Sequence, residues 1–548
     1  MLTLAPMLKV EVYVPRPHLE KALLNIGKEG LLHLADVKED FYEEIAKGLL
    51  RPIDVSARLY KISLLSSRVE RITSMLNLAR SHSPEGLSEE EVLSFSIPDC
   101  EAYLDFLEKS LSSGDESTME RVKEEHGEKV LRLNALLKTL EALESAKAKA
   151  VETPNVAIFS GWLPRRFLKA FTDAIERACG GCYVVKYEEP KPHREVHQEV
   201  KVPSLMRNPP WARVYEGLVR GLGTLNYKEI DPTIIWFFTF PIFFGIMFPD
   251  VGHGLVLLTF SIPLYYLKRK GFRGGEISSY IVQGAPVLIA CAITSTIFGL
   301  IFGEFFGNPH SEHHPFHAFG FDPFKNEAVA RFRESALSIL GLPKEFHVLE
   351  PTGATALLKL TIYVAIFHIT LGLIFSVINK MRLGEYKEAI VGPGLWLWLY
   401  LGAGASFIIY RSRLISAALG GDLMVFLLIW LPFIVMFIAR AIFMGFLDGF
   451  GESLDHFIAS LSNTISYARL FAFAIVHAVL SDVFLAVDHG LYAMIGVPFI
   501  GAVAGTMFFV FFEIVFVFFQ ALRLHWVEHG TKFLIADGIP FQPFTIKS

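Results

Sequence analysis

The chain has 548 residues, of which 52% are hydrophobic, and 48 of them are phenylalanine. This composition excludes an ordinary water-soluble protein, because several stretches exceed the roughly 18–20 apolar residues that cross a bilayer. The net charge of −5 is an average over two unlike halves. Residues 1–225 are charged and soluble in character, whereas residues 226–548 are strongly apolar, so we predict a soluble domain followed by a membrane domain.

The N-terminal stretch MLTLAPMLKVEVYVPRPHLEK lacks the basic start, long apolar core and small-residue cleavage site of a signal peptide. We therefore expect the N-terminal domain to remain in the cytoplasm. The four cysteines suggest no disulfide framework. Cys179 and Cys182 are the first and last residues of a CGGC motif, and the chain has no second such cysteine pair. We interpret this segment as a glycine-rich turn rather than a zinc site.

The soluble domain contains two predicted strand–helix–strand units. In the first, Leu8–Val14 and Leu32–Val37 are predicted strands on either side of a helix over Pro17–Lys28. The second begins with a strand at Val156–Pro164 and continues through a helix that ends at Cys179. We predict two small α/β lobes, and because no glycine-rich phosphate loop is present we expect this domain to dock partners rather than to catalyse.

Two predicted helices between the lobes carry the apolar seam of a coiled coil. Their seam residues are Ile62, Leu65, Val69, Ile72, Leu76 and Ala79 in the first helix, and Leu133, Leu136, Leu140 and Leu143 in the second. We predict that they pair antiparallel as a helical arm; the alternative is two unrelated surface helices. A linker from Pro190 to Asp231 follows, and we expect its WARVYEGLVRGL segment to lie on the membrane surface.

The membrane domain divides into eight predicted transmembrane helices. They cover residues 232–248, 252–268, 281–304, 355–379, 392–411, 423–447, 455–487 and 497–525. Basic residues follow the second and fourth spans: Lys268, Arg269, Lys270, Arg273, Lys380, Arg382 and Lys387. The positive-inside rule then predicts a multi-pass protein of the cell membrane whose N-terminal domain and C-terminus are cytoplasmic. Arg411 and Arg413 oppose this orientation, because it leaves them on the outer side of the membrane.

A long outer loop over residues 305–354 contains four closely spaced histidines: His310, His313, His314 and His317. Such a group resembles a metal cluster. Because no fold signal accompanies it, we interpret these histidines as solvated loop residues.

The last two spans carry charges where lipid disfavours them. Arg469 is the only formal charge in LSNTISYARLFAFAIVHAV, and Glu513 is the only one in FFVFFEIVFVFFQAL. A charged side chain at mid-membrane costs roughly 2.5–3.5 kcal/mol. We therefore expect both side chains to line the interior of a helix bundle or an aqueous path.

These two spans are also unusually long. Leu454 to Val487 contains no proline or glycine, which predicts an unbroken helix of about 50 Å that must tilt in a hydrocarbon core of about 30 Å. Ser466 and His477 lean toward the side of Arg469, while Gln520 shares a face with Glu513 and Arg523 lies one turn further. The candidate ion-translocation residues are Arg469, Arg523, Glu513, His477, Gln520 and Ser466.

The chemistry of these residues differs by type. Arginine retains its proton, since its pKa is above about 12, and it therefore acts as a fixed charge that favours the ionised form of a nearby carboxylic acid. Glu513 and His477 are titratable and suited to passing protons on. The alternative is that Arg469 and Glu513 form a buried ion pair that braces two helices, and the residues alone favour neither reading.

At these positions the sequence resembles the membrane subunit a, or subunit I, of V-type and archaeal A-type rotary ATPases and ATP synthases. SYARLFAFAIVHA resembles the family segment that carries its essential arginine, here Arg469, with its histidine at His477. QALRLHWVE resembles the segment with a second functional arginine, here Arg523, and Glu513 matches the family's half-channel glutamate. YKEIDPT and FFGIMFPDVGHG also match, although Pro249 stands where the family usually has glycine.

The resemblance implies a fold and a mechanism. The N-terminal lobes and arm would hold peripheral stalk subunits and face the central rotor and catalytic head, while two long tilted helices would face a rotating proteolipid ring. Ions would enter one half-channel, ride on ring carboxylates and leave by the other, coupling ion transport to ATP hydrolysis or synthesis. No cofactor, no nucleic acid and no catalytic site within this chain are implied, and protons and sodium ions both remain open as the transported ion.

Two other classes of protein fit part of the pattern. A secondary cation/proton transporter also uses intramembrane arginine, glutamate and histidine, but such transporters often show internal repeats and broken helices. This sequence shows no clear repeat, and we expect the helix that carries Arg469 to be unbroken, which argues against a transporter. A membrane scaffold or receptor leaves Arg469, Glu513 and Arg523 without a role.

Overall fold

The computed structural model describes residues 3–76, 78, 87–111, 116–190, 202–272, 274–308, 323–497 and 500–546. It divides into two compact units. The soluble unit comprises Ala5–Leu205 and Gly538–Ser548, and the membrane unit comprises Met1–Leu4 and Met206–Asp537. The predicted histidine cluster at His310, His313, His314 and His317 lies outside the described residues, as does Arg273.

The soluble unit is built on one six-stranded sheet. Its strands are β1 (Met7–Pro15), β2 (His33–Ala35), β3 (Arg51–Pro52), β4 (Val151–Glu152), β5 (Val156–Pro164) and β6 (Val184–Glu188). Strand order is β3-β4-β5-β1-β6, and β2 also pairs with β5. β1 and β5 run antiparallel along their whole length, from the Met7–Pro164 pair to the Pro15–Val156 pair. The two strand–helix–strand units therefore share one sheet, which corrects the expectation of two separate lobes.

Two helices of the soluble unit pack together, Leu19–Glu29 and Leu168–Cys179. The second ends at Gly180, whose backbone is left-handed with φ of 56°, a conformation that glycine adopts without strain. Cys179 is buried and Cys182 is exposed, and both are free thiols. The CGGC segment is thus a glycine-rich turn, as predicted.

The predicted arm consists of the helices Ser56–Met75 and Glu116–Lys147. They run antiparallel, because Arg58 pairs with Glu144 at 3.3 Å whereas Glu70, farther along the first helix, pairs with Lys138 at 2.8 Å. The seam residues Ile62, Leu65, Val69, Ile72 and Leu76 are buried, as are Leu140 and Leu143; Ala79 lies outside the described residues. A third helix, Ile97–Leu111, also packs here and was not anticipated.

The C-terminal residues return to the soluble unit. β7 (Pro203–Ser204) and β8 (Ile539–Pro540) form a parallel pair. The amide of Phe544 donates to the carbonyl of Leu32, and the amide of Ile546 donates to that of Gly27. Ile546 is buried in the same apolar core as the sheet.

The membrane unit is helical. Among the described residues, six helices are long and apolar enough to cross a bilayer: Glu276–Phe302, Pro351–Leu383, Tyr386–Tyr410, Leu423–Met444, Phe446–Ile495 and Ile500–Lys532. Each overlaps one of the eight predicted spans. The other two predicted spans correspond to the shorter apolar helix Thr233–Met247 and to Val251–Arg269.

The helix that carries Arg469 is interrupted, which the sequence did not predict. It consists of Phe446–Ser466 and Ala468–Ile495, separated at Tyr467. Tyr467 is fully buried, and its hydroxyl lies 2.6 Å from Nδ1 of His368 on the helix Pro351–Leu383. The residue at the break is thus neither proline nor glycine, but a tyrosine with a hydrogen bond to another helix. We call Ala468–Ile495 the arginine helix and Ile500–Lys532 the glutamate helix.

The glutamate helix contains two π-helical segments, Phe509–Glu513 and Leu524–His529. Such wide turns are rare and occur frequently at functional sites. Here the first ends at Glu513 and the second begins directly after Arg523. Both candidate charges of this helix therefore lie at a change of helical pitch.

The arm provides a test of pH dependence in the soluble unit. Nε and Nη2 of Arg68 contact the two carboxylate oxygens of Glu108 at 3.0 and 2.8 Å, and Nη2 contacts Asp105 at 2.6 Å. This hydrogen bonding lowers the pKa of Glu108 below its usual value. A lowered carboxyl pKa stabilises the fold above the unfolded-state pKa, and that stabilisation is lost as pH falls through the folded-state pKa.

We therefore expect Arg68→Gln to weaken the arm at neutral pH by about 0.5–1 kcal/mol, as for a partly exposed ion pair. Hydrogen exchange in Ser56–Met75 should become roughly two- to fivefold faster than in the unmodified chain, and the difference should vanish on acidification. Arg121→Gln is the matched control, because Arg121 forms an exposed ion pair with Glu125 on the same arm. Equal exchange in Arg68→Gln and the unmodified chain at neutral pH would contradict the expectation.

Candidate ion-translocation site

The structure pairs the predicted charges in an unexpected way. Nη2 of Arg469 lies 3.9 Å from Oε1 of Glu528, whose side chain is only 2% exposed. Glu513 instead faces His477, with its Oε2 3.0 Å from the ring Nδ1. The alternative in which Arg469 and Glu513 form one bracing ion pair is therefore wrong. Two separate groups of buried charge lie along the arginine and glutamate helices.

The first group extends from the glutamate helix to a third element. Glu513 and His477 are both buried, and Nε2 of His477 lies 3.7 Å from Oδ2 of Asp250. Nδ1 of His253 lies 3.2 Å from the other oxygen of Asp250. Two carboxylates and two imidazoles thus form one continuous buried cluster, which we call the outer cluster.

Asp250 is the fixed point of the outer cluster. It precedes the helix Val251–Arg269, and its side chain caps that helix by accepting from the amide of His253 at 2.8 Å. It also accepts from the amides of Phe306 at 3.1 Å and Gly307 at 2.8 Å. Three backbone donors stabilise a charged carboxylate that has no access to water.

Close helix packing holds Asp250 in place. A Cβ on Gly299 would overlap the amide nitrogen of Val251, so only glycine allows this approach. The hydroxyl of Ser295 on the same helix donates to the carbonyl of Phe248 at 2.6 Å. Gly307, whose φ is 94°, lies against Ser481 of the arginine helix. These contacts connect four elements at the point where Asp250 lies.

The side-chain ligand atoms of Asp250, His253 and His477 lie within 4.8 Å of one another. The pattern satisfies the spacing of a metal site: Nδ1 of His253 and Nε2 of His477 face Asp250 without a hydrogen-bond partner among the described residues, while the other nitrogen of His477, Nδ1, faces Glu513. We assign no metal to the cluster; each of its side chains is a group that can bind or release a proton.

A second group, which we call the inner cluster, comprises Arg469, its partner Glu528 and three buried histidines, His368, His525 and His529. The rings of His368 and His529 stack with their centroids 4.1 Å apart. Nε2 of His525 lies 2.8 Å from the hydroxyl of Thr239. None of these histidines was predicted as a site residue.

The remaining predicted residues occupy less enclosed positions. Arg523 is exposed, although its charge acts on both Arg469 and Glu528. Ser466 is half-buried, and its hydroxyl donates to the carbonyl of Ser462 at 3.1 Å. Gln520 is half-buried, and its Oε1 has no hydrogen-bond partner in the described part of the chain. The structure thus brings together His477 with Glu513, whereas no hydrogen bond joins Gln520 to Glu513 in the described part of the chain.

Sequence reasoning missed Asp250, His253, Glu528, His368, His525 and His529. Asp250, His253, His525 and Glu528 lie within the quoted segments FFGIMFPDVGHG and QALRLHWVE, where they support the resemblance without having been predicted as site residues. An aspartate in an apolar segment immediately before a helix is itself a signal of a buried cap. His368 had no such signal beyond a single histidine in an apolar span.

An exposed apolar band accompanies these clusters. On the glutamate helix Phe511, Phe512, Phe516 and Phe519 are all more than half exposed, as are Leu461 and Ile465 just before the break. Long apolar helices with buried ionisable side chains and apolar outer faces define a multi-pass membrane protein.

Comparison with known sequences identifies the family. The profile of the V-type ATPase 116kDa subunit family matches residues 58–393 and 450–546, and the chain belongs to this family. It is 27% identical over 410 residues to the A-type ATP synthase subunit I of Methanothermobacter thermautotrophicus, covering 72% of this chain and 52% of that protein.

Two further relatives come from distant organisms. The A-type ATP synthase subunit I of Methanocaldococcus jannaschii is 24% identical, covering 80% of this chain and 62% of that protein. The vacuolar proton translocating ATPase 100 kDa subunit of Dictyostelium discoideum is 24% identical, covering 71% of this chain and 58% of that protein. The chain therefore spans between half and two thirds of the length of these curated relatives.

The geometry of Asp250 predicts a large cost for neutralising it. In Asp250→Asn the amide retains the shape but has only one acceptor oxygen for three backbone amides and no charge for the two histidines. We expect a loss of stability on the order of 3 kcal/mol, as when one partner of a buried pair is removed. Thermal unfolding of the detergent-solubilised chain measures the change.

Asp422→Asn is the matched control for this substitution. Asp422 also caps a helix, accepting from the amide of Met424 at 2.9 Å, but it lies at the protein surface. We expect its unfolding midpoint to fall much less than that of Asp250→Asn. Equal shifts in the two variants would show that the buried cluster adds nothing to a simple cap.

Proposed function

We propose that this chain is the ion-translocating stator subunit of a rotary V-type or A-type ATPase or ATP synthase. Family membership supports this function, as do the printed names of the archaeal and vacuolar relatives. In the proposed mechanism a proteolipid ring rotates against the exposed apolar band. Its movement couples proton or sodium transport to ATP hydrolysis or synthesis in catalytic head subunits.

The proposed topology has eight membrane crossings. Beyond the six long helices, Thr233–Met247 and Val251–Arg269 provide two more, which is consistent with the buried polar groups at the loop between them. The basic residues Lys268, Lys380 and Lys387 support a cytoplasmic location for that side of the protein. In this topology the soluble domain of residues 1–225 and the C-terminus are cytoplasmic, in the cell membrane, and the domain docks peripheral stalk and central rotor subunits.

The outer cluster is proposed to form one half-channel. Protons pass between Glu513 and His477 over 3.0 Å, and between His477 and Asp250 over 3.7 Å with a bridging water. Both imidazole nitrogens of His477 face carboxylates, so the ring can accept a proton at one nitrogen and release it at the other. Gln520 and Ser466 are proposed to line the second half-channel, on the side of Arg469 and Glu528.

Arg469 is proposed to separate the two half-channels, and its hydrogen bonding is the observation that carries the function. Its guanidinium is largely buried, yet Nη1 has no hydrogen-bond partner among the described residues and its ion pair with Glu528 is long, at 3.9 Å. A buried guanidinium with free donors is costly unless a further acceptor completes it. In the proposed mechanism a carboxylate of the rotating ring approaches the guanidinium, whose side chain remains 17% exposed, and loses its proton beside this fixed charge.

A secondary cation/proton transporter remains the second candidate. The interruption at Tyr467, two residues before Arg469, is the observation that favours it, because such transporters use interrupted helices; it spans one residue, whose backbone angles stay in the helical region. Family membership and the absence of a clear internal repeat in the sequence favour the stator.

Substitution of Arg469 tests the proposal directly. We expect Arg469→Ala to reduce ATP-driven ion uptake into vesicles at least tenfold while the complex still assembles. Arg469→Lys should also fail or leak, because an ammonium lacks the planar fork and can lose its proton when buried. Arg523→Ala should have the smaller effect, since Arg523 is exposed.

Arg413→Ala is the matched control, because Arg413 is an exposed arginine of the same membrane unit. Its uptake should equal that of the unmodified complex. Normal coupled uptake by an assembled Arg469→Ala complex would reduce this arginine to a structural brace and would favour the transporter.

Substitution of Glu513 tests the half-channel separately. We expect Glu513→Gln to slow ion uptake several-fold more than it reduces assembly, because His477 loses its titratable partner while water partly replaces the relay. Glu385→Gln, which alters an exposed carboxylate, should leave uptake unchanged. Unchanged uptake at every pH in an assembled Glu513→Gln complex would contradict a role for the outer cluster in conduction.

A further inference from the structure

A large groove lies on the side of the membrane unit formed by four segments, and we call it the basic groove. Its volume is about 1170 Å³, which exceeds the roughly 300–1000 Å³ of typical small-molecule pockets. The lining comes from the short helix Glu216–Arg220 and its preceding turn, the end of Val251–Arg269, the first turns of Glu276–Phe302 and one face of the glutamate helix.

The walls of the basic groove are apolar. They are formed by Val287, Leu288, Ile514, Val515, Phe518 and Phe519. Gly217 and Gly284 also line the groove, and a Cβ at either position would meet no atom within 4 Å. The groove is therefore open space beside both glycines rather than a gap sealed by backbone contact. Its volume and apolar lining suit a hydrocarbon chain.

Three cations also line the basic groove: Arg213, Arg220 and Lys268. Among the described residues, the only acidic side chain in the lining is Glu216, whose carboxylate already accepts from Asn208 at 3.2 Å and from Arg220 at 3.4 Å. Lys268 donates to the carbonyl of Gln283, which also lines the groove, at 2.9 Å. The lining therefore carries an excess of positive charge, with the apolar walls beside it.

The cations lie at the ends of helices, as expected at the level of lipid headgroups. Lys268 occupies the last turn of Val251–Arg269. Trp211 and Tyr280, near the same segments, are 49% and 74% exposed, and tryptophan and tyrosine are enriched at the boundary between lipid and water. Basic pockets between membrane helices commonly bind the phosphate of an anionic lipid.

We propose that the basic groove binds a phosphate-bearing anionic membrane lipid, with its phosphate between Arg213, Arg220 and Lys268 and a hydrocarbon chain against the face of the glutamate helix. A soluble phosphate compound would leave the apolar walls exposed to water. A lipid without net charge would leave the excess of cations unmatched. The proposal concerns binding alone and does not depend on the ion-translocation mechanism.

The lipid would also contact the helix that carries Glu513. Ile514 and Val515 of the groove wall follow Glu513 directly, at the end of the first π-helical segment.

The test uses the full chain in detergent, after removal of native lipid, and measures lipid binding by native mass spectrometry. Phosphatidylglycerol, phosphatidylcholine and inorganic phosphate are compared at equal concentration. We expect the chain to bind one phosphatidylglycerol at least fivefold more tightly than phosphatidylcholine, and to bind inorganic phosphate weakly. Equal binding of the two lipids, or phosphate binding as tight as that of phosphatidylglycerol, would overturn the proposal.

Variants locate the binding in the groove. Arg213→Gln, Arg220→Gln and Lys268→Gln combined should abolish the preference for phosphatidylglycerol. The control variant Arg269→Gln, Lys270→Gln and Arg382→Gln removes the same charge from exposed positions that do not line the groove, and should retain the preference. An equal loss in both triple variants would assign the binding to general surface charge.

Gly284→Leu tests the apolar part without changing charge. Because a side chain at Gly284 enters open space, we expect the variant to fold normally and to weaken phosphatidylglycerol binding at least threefold. Gly392→Leu is the control, since a Cβ at Gly392 would also meet no atom within 4 Å, but Gly392 lies outside the basic groove. Undiminished binding by Gly284→Leu with an intact thermal unfolding profile would show that the lipid lies elsewhere.

Discussion

The membrane unit depends on how it stabilises the carboxylate of Asp250, which has no access to water. A buried charge of this kind is tolerated only when donors surround it. Here the donors are backbone amides of His253, Phe306 and Gly307. Because these amides come from a helix start and a separate loop, the charge fixes the relative position of both. The tight contact at Gly299 then carries the same constraint to a neighbouring helix.

The inner cluster follows a different physical logic. Its three histidines lie among aromatic rings, with His368 stacked on His529 and Trp236 donating to His529. Neutral imidazoles provide polar contacts in an apolar bundle without the desolvation cost of an ion. His368 contacts Tyr467, and His525 and His529 lie in the second π-helical segment. Glu528, the partner of Arg469, lies in that same segment, so the histidines and the ion pair share their backbone elements.

Local patterns in the sequence predicted the helices, the strands and the helical arm, because hydrophobic periodicity is a property of neighbouring residues. They did not predict the pairing of β1 with β5, whose members lie about 150 residues apart. The break at Tyr467 was missed because no proline or glycine marks it, and the hydrogen-bond partner of Tyr467, His368, lies 99 residues away. The partners of Arg469 and Glu513 could not be deduced from helical spacing for the same reason, since they depend on which helices pack together.

The distribution of the chain between its two units has a consequence for biosynthesis. Phe544 and Ile546 complete the soluble unit, and Ile546 lies in its core, but the whole membrane unit is translated before them. The soluble unit therefore cannot reach its final packing until the last membrane helix has left the ribosome. The segment around Phe544 and Ile546 is therefore the last part of the soluble core to become available for packing, although the sheet it completes begins with the first strand of the chain.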